Sequence, residues 1–362
     1  MSAEAKPGIP ETLGSALDAL RPDRFGFQSR RRGWLKEFPS VGQVAFASLS
    51  WPHAQAQSFD DSSGACEATN ALGLLVTLQQ SVWGFPPAEA VPVNILSILK
   101  DTGGAVIVAY DPGKGFNSQG WLGFAIGMGT RSGVLYSHML GVREDVRGIN
   151  DLGWYLKVLQ GYLAVKSGHH AMTWTYDPLR GANARLNLEK LGARMINLTI
   201  DKYGVMRSSL YGNVPTDRFT AYWDLLDPLT LGRLQTVYDG RYHPFTLDDV
   251  AEIPEATVES LPELLLMQPE SVRYLIPGDV DALMRQRPDE AIQWRQQMRE
   301  VLGGLMTRRR ARIDELFVEE GPIAVDTEIE QGLYVATGFA TGYLPGEDER
   351  TSYYILTRER AS

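Results

Sequence analysis

Five histidines and one cysteine are the chain's whole stock of imidazole and thiol groups, so any proton transfer near neutral pH has few candidates. His138, in VLYSHMLGV, is the foremost, because an unperturbed imidazole titrates near pH ~6.5 and is mostly neutral at pH 7. Strand alternation would put it on one face with Tyr136 and Leu140. It is either a general base for an amine losing its proton or a buried histidine hydrogen-bonded to a neighbour. Asp177, just before Pro178, is either a carboxylate that holds an ammonium and accepts its proton or part of a strand-terminating turn. Asn183 and Asn187 are spaced to share one helix face, unless Asn183 is a helix cap. Arg218 could receive a carboxylate on its two-pronged guanidinium, or form an ordinary surface ion pair. Cys66 opens an apolar-periodic run and reads as a packed small residue. His169-His170 lacks a third ligand nearby and reads as a loop entering a strand, so no metal is expected.

These residues hang on elements that the apolar pattern outlines. A helix is predicted from Glu67 to Val82, ended by Gly-Phe-Pro-Pro. Strands follow at Ala105 to Tyr110, Trp121 to Met128 and Val134 to Val142, separated by turn residues, as in an antiparallel meander. A helix from Leu152 to Lys166 leads to a strand at His170 to Tyr176, a helix from about Ala182 to Leu191, and strands at Met195 to Ile200 and Arg218 to Asp224. Farther on come VRYLIP, a helix with Met298, Val301, Leu302 and Leu305 on one face, and two strands, GLYVATGF and TSYYILTR, that would pair as a hairpin. The organisation expected is an N-terminal extension (1–58) carrying a basic run at Arg30 to Arg32, a first α/β domain (59–228), and a smaller α/β unit (229–362) packed on it.

Composition sets the outer bounds. Of the 362 residues 44% are hydrophobic, near the globular average, and a formal charge of −9 argues against a track for nucleic-acid phosphates. One cysteine excludes an intrachain disulfide and fits a reducing compartment. No secretory leader pattern and no run of eighteen apolar residues is seen, so the expected place is the cytoplasm, with no membrane contact.

Ser137-His138-Met139-Leu140-Gly141-Val142, then a charged turn, then Gly153-Trp154-Tyr155-Leu156-Lys157, resembles the fourth strand, pyrophosphate loop and following helix of the GNAT acyltransferase superfamily. WTYDP at 174–178, Asn183-Ala184 and NLEKLGA at 187–193 resemble a subgroup of bacterial GNAT proteins linked to N-acylation of amino acids, as do Pro215-Thr216-Asp217-Arg218, Ile276-Pro277 and Trp294-Arg295. The resemblance spans about residues 65 to 358. It implies a mixed, mostly antiparallel sheet with one splayed parallel pair, Val134–Val142 beside His170–Tyr176.

The resemblance also implies an activity: transfer of an acyl group from acyl-CoA, or another pantetheine thioester, to the amine of a small molecule or amino acid. Backbone amides of Leu140 and Val142 would polarise the thioester carbonyl. Arg147, Gly148 and Gly153 would frame the diphosphate loop, and Asn183 and Asn187 would touch the pantetheine arm. His138 and Asp177 would act on the acceptor amine, with Tyr136, Trp174 and Arg218 lining its pocket. Leu188 stands where many members carry the tyrosine that protonates the thiolate, and Tyr203 is the substitute. Asp151 falls where the loop's middle glycine belongs, so it either caps the helix at Leu152 or repels phosphate. That departure leaves two further readings open: a donor acyl group presented on an acyl carrier protein, and a binding protein without catalysis.

Overall fold

AVIVAY and WLGFAIGM are apolar on both faces, and both faces must therefore be covered. They form β4 (Ala105–Tyr110) and β5 (Trp121–Met128), the buried middle of a 12-stranded sheet. The computed structural model describes residues 11–31, 33–49, 68–84, 86–148, 150–204, 215–306 and 333–359. The expectations for Cys66 and for Arg32 lie outside the described residues. The strand order is β1-β2-β3-β4-β5-β6-β7-β9-β8-β11-β12-β10.

Helices cover β4 and β5 from both sides. On one face lie α2 (Ala68–Trp83) and α3 (Val93–Ile98), burying Leu75, Leu78 and Leu96 against Val106, Val108 and Phe124. On the other lies α4 (Leu152–Lys166), where Leu156, Leu159 and Leu163 join Ile107, Ala125 and Leu135. That second core runs unbroken to α1 (Glu11–Ala19) and onward to Leu356.

The segment read as an N-terminal extension contributes strands of this sheet. Besides β3 (Gly42–Ser48), close to the predicted strand and paired with β4, it supplies β2 (Gly33–Phe38) and β1 (Gln28–Arg30), which extend the sheet beyond β3 to its edge. GWLKEF hides its strand character behind Lys36. The side chain is 9% exposed, donates to the Phe25 carbonyl at 2.9 Å, and lies 4.5 Å from the centre of the Tyr155 ring on α4. Aromatic faces and one carbonyl replace water around the ammonium.

The middle elements follow the predicted order, with β6 (Val134–Val142), α4, β7 (Ala171–Tyr176), β8 (Arg194–Thr199) and β9 (Arg218–Asp224). The predicted helix at 182–191 is instead one α-turn, α5 (Gly181–Ala184), running into a π turn over Arg185–Lys190. Residues beyond 228 extend the same sheet. After α6 (Pro228–Tyr238) and α7 (Leu261–Met267), β10 (Ser271–Ile276), β11 (Tyr334–Tyr343) and β12 (Arg350–Arg358) continue it from β8. Strand β11 is longer than its apolar core suggested, because Thr341 and Tyr343 pair with Ser352 and Arg350.

A buried ion network joins the halves. After α8 (Val280–Gln286), helix α9 (Pro288–Met306) sends Arg295 inward, where its guanidinium is 2.8 Å from Asp177 Oδ2 and 3.8 Å from Asp217 Oδ2. Arg299 adds a two-pronged bond to Asp217, 2.9 and 2.8 Å. All three of Asp177, Asp217 and Arg295 are at most 3% exposed. Removing one partner from a buried pair strands the other charge, which costs about 3–5 kcal/mol. Arg295→Met should therefore lose that much stability in urea unfolding; a loss of only the ~1 kcal/mol typical of exposed pairs would contradict this account.

Candidate active site

Strand β6 pairs with β5 along nearly its whole length, but with β7 only at Val134, Leu135 and Tyr136, in parallel. Beyond Tyr136 the two strands part. Parallel pairing needs both strands to keep one direction and one twist, and here β7 follows β9, with which it pairs from Ala171 through Tyr176. The outer edge of β6 from Ser137 to Val142 therefore lacks a neighbouring strand among the described residues. Arg143 donates its amide to Leu122 of β5 at 2.8 Å, so alternation turns the amides of Val142 and Leu140 toward the gap.

A bulge changes which side chains meet there. Ile126 faces Met139 and Gly127 faces Ser137, leaving His138 as the extra residue on β6. One inserted residue inverts the alternation beyond it. The expectation that Tyr136, His138 and Leu140 share one face fails for Leu140, which turns to the α4 side, where a Cβ at Gly153 would lie 3.5 Å from it. Tyr136 stays on the opposite side, with the His138 ring 6.5 Å away.

Two groups of side chains thus flank the gap. On the side away from α4, the Tyr203 hydroxyl lies 3.0 Å from Thr175 Oγ1 and also meets Tyr136, while Arg218 stacks 5.4 Å from the Tyr203 ring centre. Burial and the Tyr203 hydroxyl push the Tyr136 phenol up to about 12, so it stays protonated. Burial lowers the His138 pKa, which keeps the imidazole neutral at pH 7. Arg218 is only 5% exposed, so it is no surface residue.

On the α4 side, Lys157 is 3% exposed, donates to Ser137 Oγ at 2.6 Å, and lies 3.7 Å from the Trp174 ring centre. Ser137 in turn donates to Gln160 Oε1 at 2.7 Å. No carboxylate among the described residues is in ion-pair range of this ammonium, and burial holds its pKa well below the ordinary lysine value. Trp174, expected to line an acceptor pocket, packs against this lysine instead. The signal for Lys157 was available: it is a lone cation inside GWYLKVLQGYL, a helix whose residues on every side are apolar.

The turn before α4 is wound left-handed at Gly148, Asn150 and Asp151, with φ of 75°, 55° and 54°. Gly148 takes this conformation freely, whereas Asp151 does so at a steric cost. The Asp151 carboxylate caps no amide; it pairs with Lys190 Nζ from the π turn. Neither capping nor a bare negative charge describes it, since Lys190 supplies a neutralising cation that the sequence did not reveal. Arg147 is exposed and reaches the Val142 carbonyl at 3.4 Å. Asn187 is buried and Asn183 half-buried, on either side of the switch from α to π winding. Asp177 is set apart from the gap's chemistry: Oδ1 accepts the Leu179 amide at 3.1 Å and Oδ2 is held by Arg295.

No protein-family model matches the chain. No curated protein matches it either. Among solved structures, a GNAT-family acetyltransferase candidate from Desulfovibrio desulfuricans aligns at 15% identity over 50% of this chain and 99% of its own, with a TM-score of 0.34. The ribosomal-protein-S18-alanine N-acetyltransferase of Escherichia coli aligns at 15% identity over 45% of this chain and 92% of its own, TM-score 0.34. An N-acetyltransferase from Staphylococcus aureus aligns at 14% over 43% and 94%, TM-score 0.35. The likeness is partial and lies with GNAT acetyltransferases. Among the described residues, no helix is long and apolar enough to cross a membrane, and no three His, Cys, Asp or Glu side chains converge as metal ligands.

Lys157 gives the site a stability signature. Its ammonium is favoured in the unfolded chain and disfavoured in the fold, so between its lowered folded pKa and about 10.5 the unfolded state binds the extra proton. Stability should rise with pH across that window, by roughly tenfold in folding equilibrium per unit, and be lost as pH falls toward the folded value. Lys157→Met should remove this slope in urea titrations from pH 7 to 10 and be the more stable protein at pH 7. Parallel pH profiles for the two proteins would contradict the burial of an uncompensated amine.

Proposed function

We propose that the protein is a GNAT-fold acyltransferase that moves an acyl group from a pantetheine thioester to the amine of a small molecule or amino acid. The observation that carries this reading is the parting of β6 from β7 after Tyr136, which leaves the Leu140 and Val142 amides facing a gap beside the left-handed turn at the start of α4. A thioester carbonyl seated there would receive one or both amides, and as the amine attacks, the oxyanion would be held by the same bonds at greater strength. The pantetheine arm would run along the open edge of β6. In acyl-CoA the diphosphate would meet the turn's amides, Arg147 and Lys190.

The neutral His138 imidazole accepts the proton of the acceptor ammonium. The free amine attacks the carbonyl carbon and the C–S bond breaks as the tetrahedral intermediate collapses; the thiolate takes a proton from the Tyr203–Tyr136 hydroxyl pair, and the proton that the attacking nitrogen sheds on becoming an amide restores that pair. Arg218 behind Tyr203 favours an acceptor that carries a carboxylate. One observation supports a carrier-protein donor instead: the Asp151 side chain, 54% exposed in the turn and only partly offset by Lys190, opposes the two charges of a diphosphate more than the single charge of a carrier-bound phosphopantetheine.

Acetyl-CoA should raise the melting temperature of the protein saturably, and Asp151→Gly should strengthen that binding severalfold while leaving a carrier-bound donor unaffected. With whichever donor turns over, His138→Ala should lower kcat by roughly 10² to 10⁴ in protein that remains folded. Full activity in folded His138→Ala would remove it as the base.

A further inference from the structure

The last turn of α2 ends above the parted stretch of β6. Gly84, left-handed at φ 64°, closes the helix with its amide on the Gln80 carbonyl at 2.8 Å, which fixes Trp83 in that turn. The indole is half-buried and stands edge-to-face on Phe124 of β5, with ring centres 5.3 Å apart and planes at 83°. It also covers Gly141. A Cβ there would meet Trp83 Cη2 at 3.0 Å, Val82 Cγ1 at 3.0 Å and Phe124 Cε1 at 2.9 Å, so the backbone of β6 lies directly under the indole. Gly141 stands between Leu140 and Val142, the two residues whose amides face the gap.

A thioester carbonyl bonded to those amides must send its acyl carbons to one face of the sheet. The α4 face is closed there: Leu140 turns toward Gly153, and Lys157 and Trp174 are buried against each other. The opposite face carries Tyr136, His138 and Met139, all half-buried, and then Gly141, which contributes only backbone. Acyl carbons directed that way meet the Trp83 indole above Gly141. Val82, Trp83, Phe124 and Met139 bear no charge, so this lining suits hydrocarbon and would desolvate a terminal carboxylate without pairing it. We propose that Trp83 sets the acyl group that the protein accepts, admitting a short aliphatic chain and stopping longer ones. This rests on the acyltransferase reading above and adds the donor's acyl class to it.

In an apolar pocket a single methylene too many or too few changes affinity by roughly tenfold or more, so an indole across the path discriminates steeply by length. Shortening Trp83 opens the space above Gly141 to more carbons. A tryptophan that only packs α2 on Phe124 behaves differently: its loss lowers stability and weakens all donors alike, leaving the length preference where it was.

Calorimetric titration of the full chain with ketone analogues of acyl-CoA and of acyl-phosphopantetheine reads that preference without turnover. In these a CH2 replaces the thioester sulfur, and the acyl groups have two, four and six carbons. The unaltered protein should bind the two-carbon analogue more tightly than the six-carbon one by about tenfold or more. In Trp83→Ala the ratio of six-carbon to two-carbon affinity should rise by about tenfold or more, and in Trp83→Phe, which keeps an aromatic ring beside Phe124, it should rise by less. Equal binding of all three lengths by the unaltered protein would overturn the inference. So would an unchanged ratio in Trp83→Ala, or in Trp83→Phe should only that variant fold. Either result leaves the acyltransferase reading standing, whereas failure of every analogue to bind in both its CoA and its phosphopantetheine form would overturn both.

Discussion

A backbone amide or carbonyl inside a protein must find a partner, and among the described residues the β6 edge beyond Tyr136 has none from a strand. Much of the architecture serves to keep it so. Strand β7 is held to β9 along its whole length by six register pairs, and just past its last residue Asp177 is clamped by Arg295 from α9. With its end fixed to the C-terminal half, β7 cannot swing back to zip along β6. The buried guanidinium thus anchors the end of β7 from α9, an element remote from the gap in sequence. Among the described residues Arg295 Nε and Nη1 lack hydrogen bonds, so the clamp is not optimised for stability alone.

From beneath, α4 fills the wedge between the parting strands. Its side chains here are polar where apolar ones would bury more cheaply: Lys157 and Gln160 meet Ser137, and Lys157 lies against Trp174. A leucine-lined wedge would draw the strands together, whereas a lysine that can protonate only at a cost, bonded to a hydroxyl on β6 and seated on an indole of β7, keeps both strands at a set spacing. The bulge at His138 adds a second displacement, sending Leu140 toward α4 and keeping the imidazole with Tyr136.

The strands from 105 to 142 and the helix at 152–166 were legible because their apolar runs admit one period each, bounded by Gly and Pro. Three features were not. Strand β2 carries Lys36 on a buried face, and only the assembled ring of Phe25, Phe27, Phe38, Tyr155 and Tyr238 explains why an ammonium can sit there. The bulge leaves no mark in VLYSHMLGV, since its position follows from pairing with Gly127 on another strand, and the face of Leu140 was misassigned for that reason. Asp177 and Lys190 owe their roles to partners 118 and 39 residues away, Arg295 and Asp151, which no local pattern announces. The identity of His138 as the sole histidine on the parting strand needed no structure at all.

The central claim is that the open edge of β6 seats a thioester. Amide hydrogen exchange at single-residue resolution tests it most directly, with and without saturating acetyl-CoA or acetyl-phosphopantetheine. The Leu140 and Val142 amides, open in the free protein, should exchange markedly more slowly with donor bound, while the Gly141 and Arg143 amides, turned toward β5, should scarcely change. Equal exchange at Leu140 and Val142 in free and saturated protein, with protection appearing elsewhere, would contradict the account.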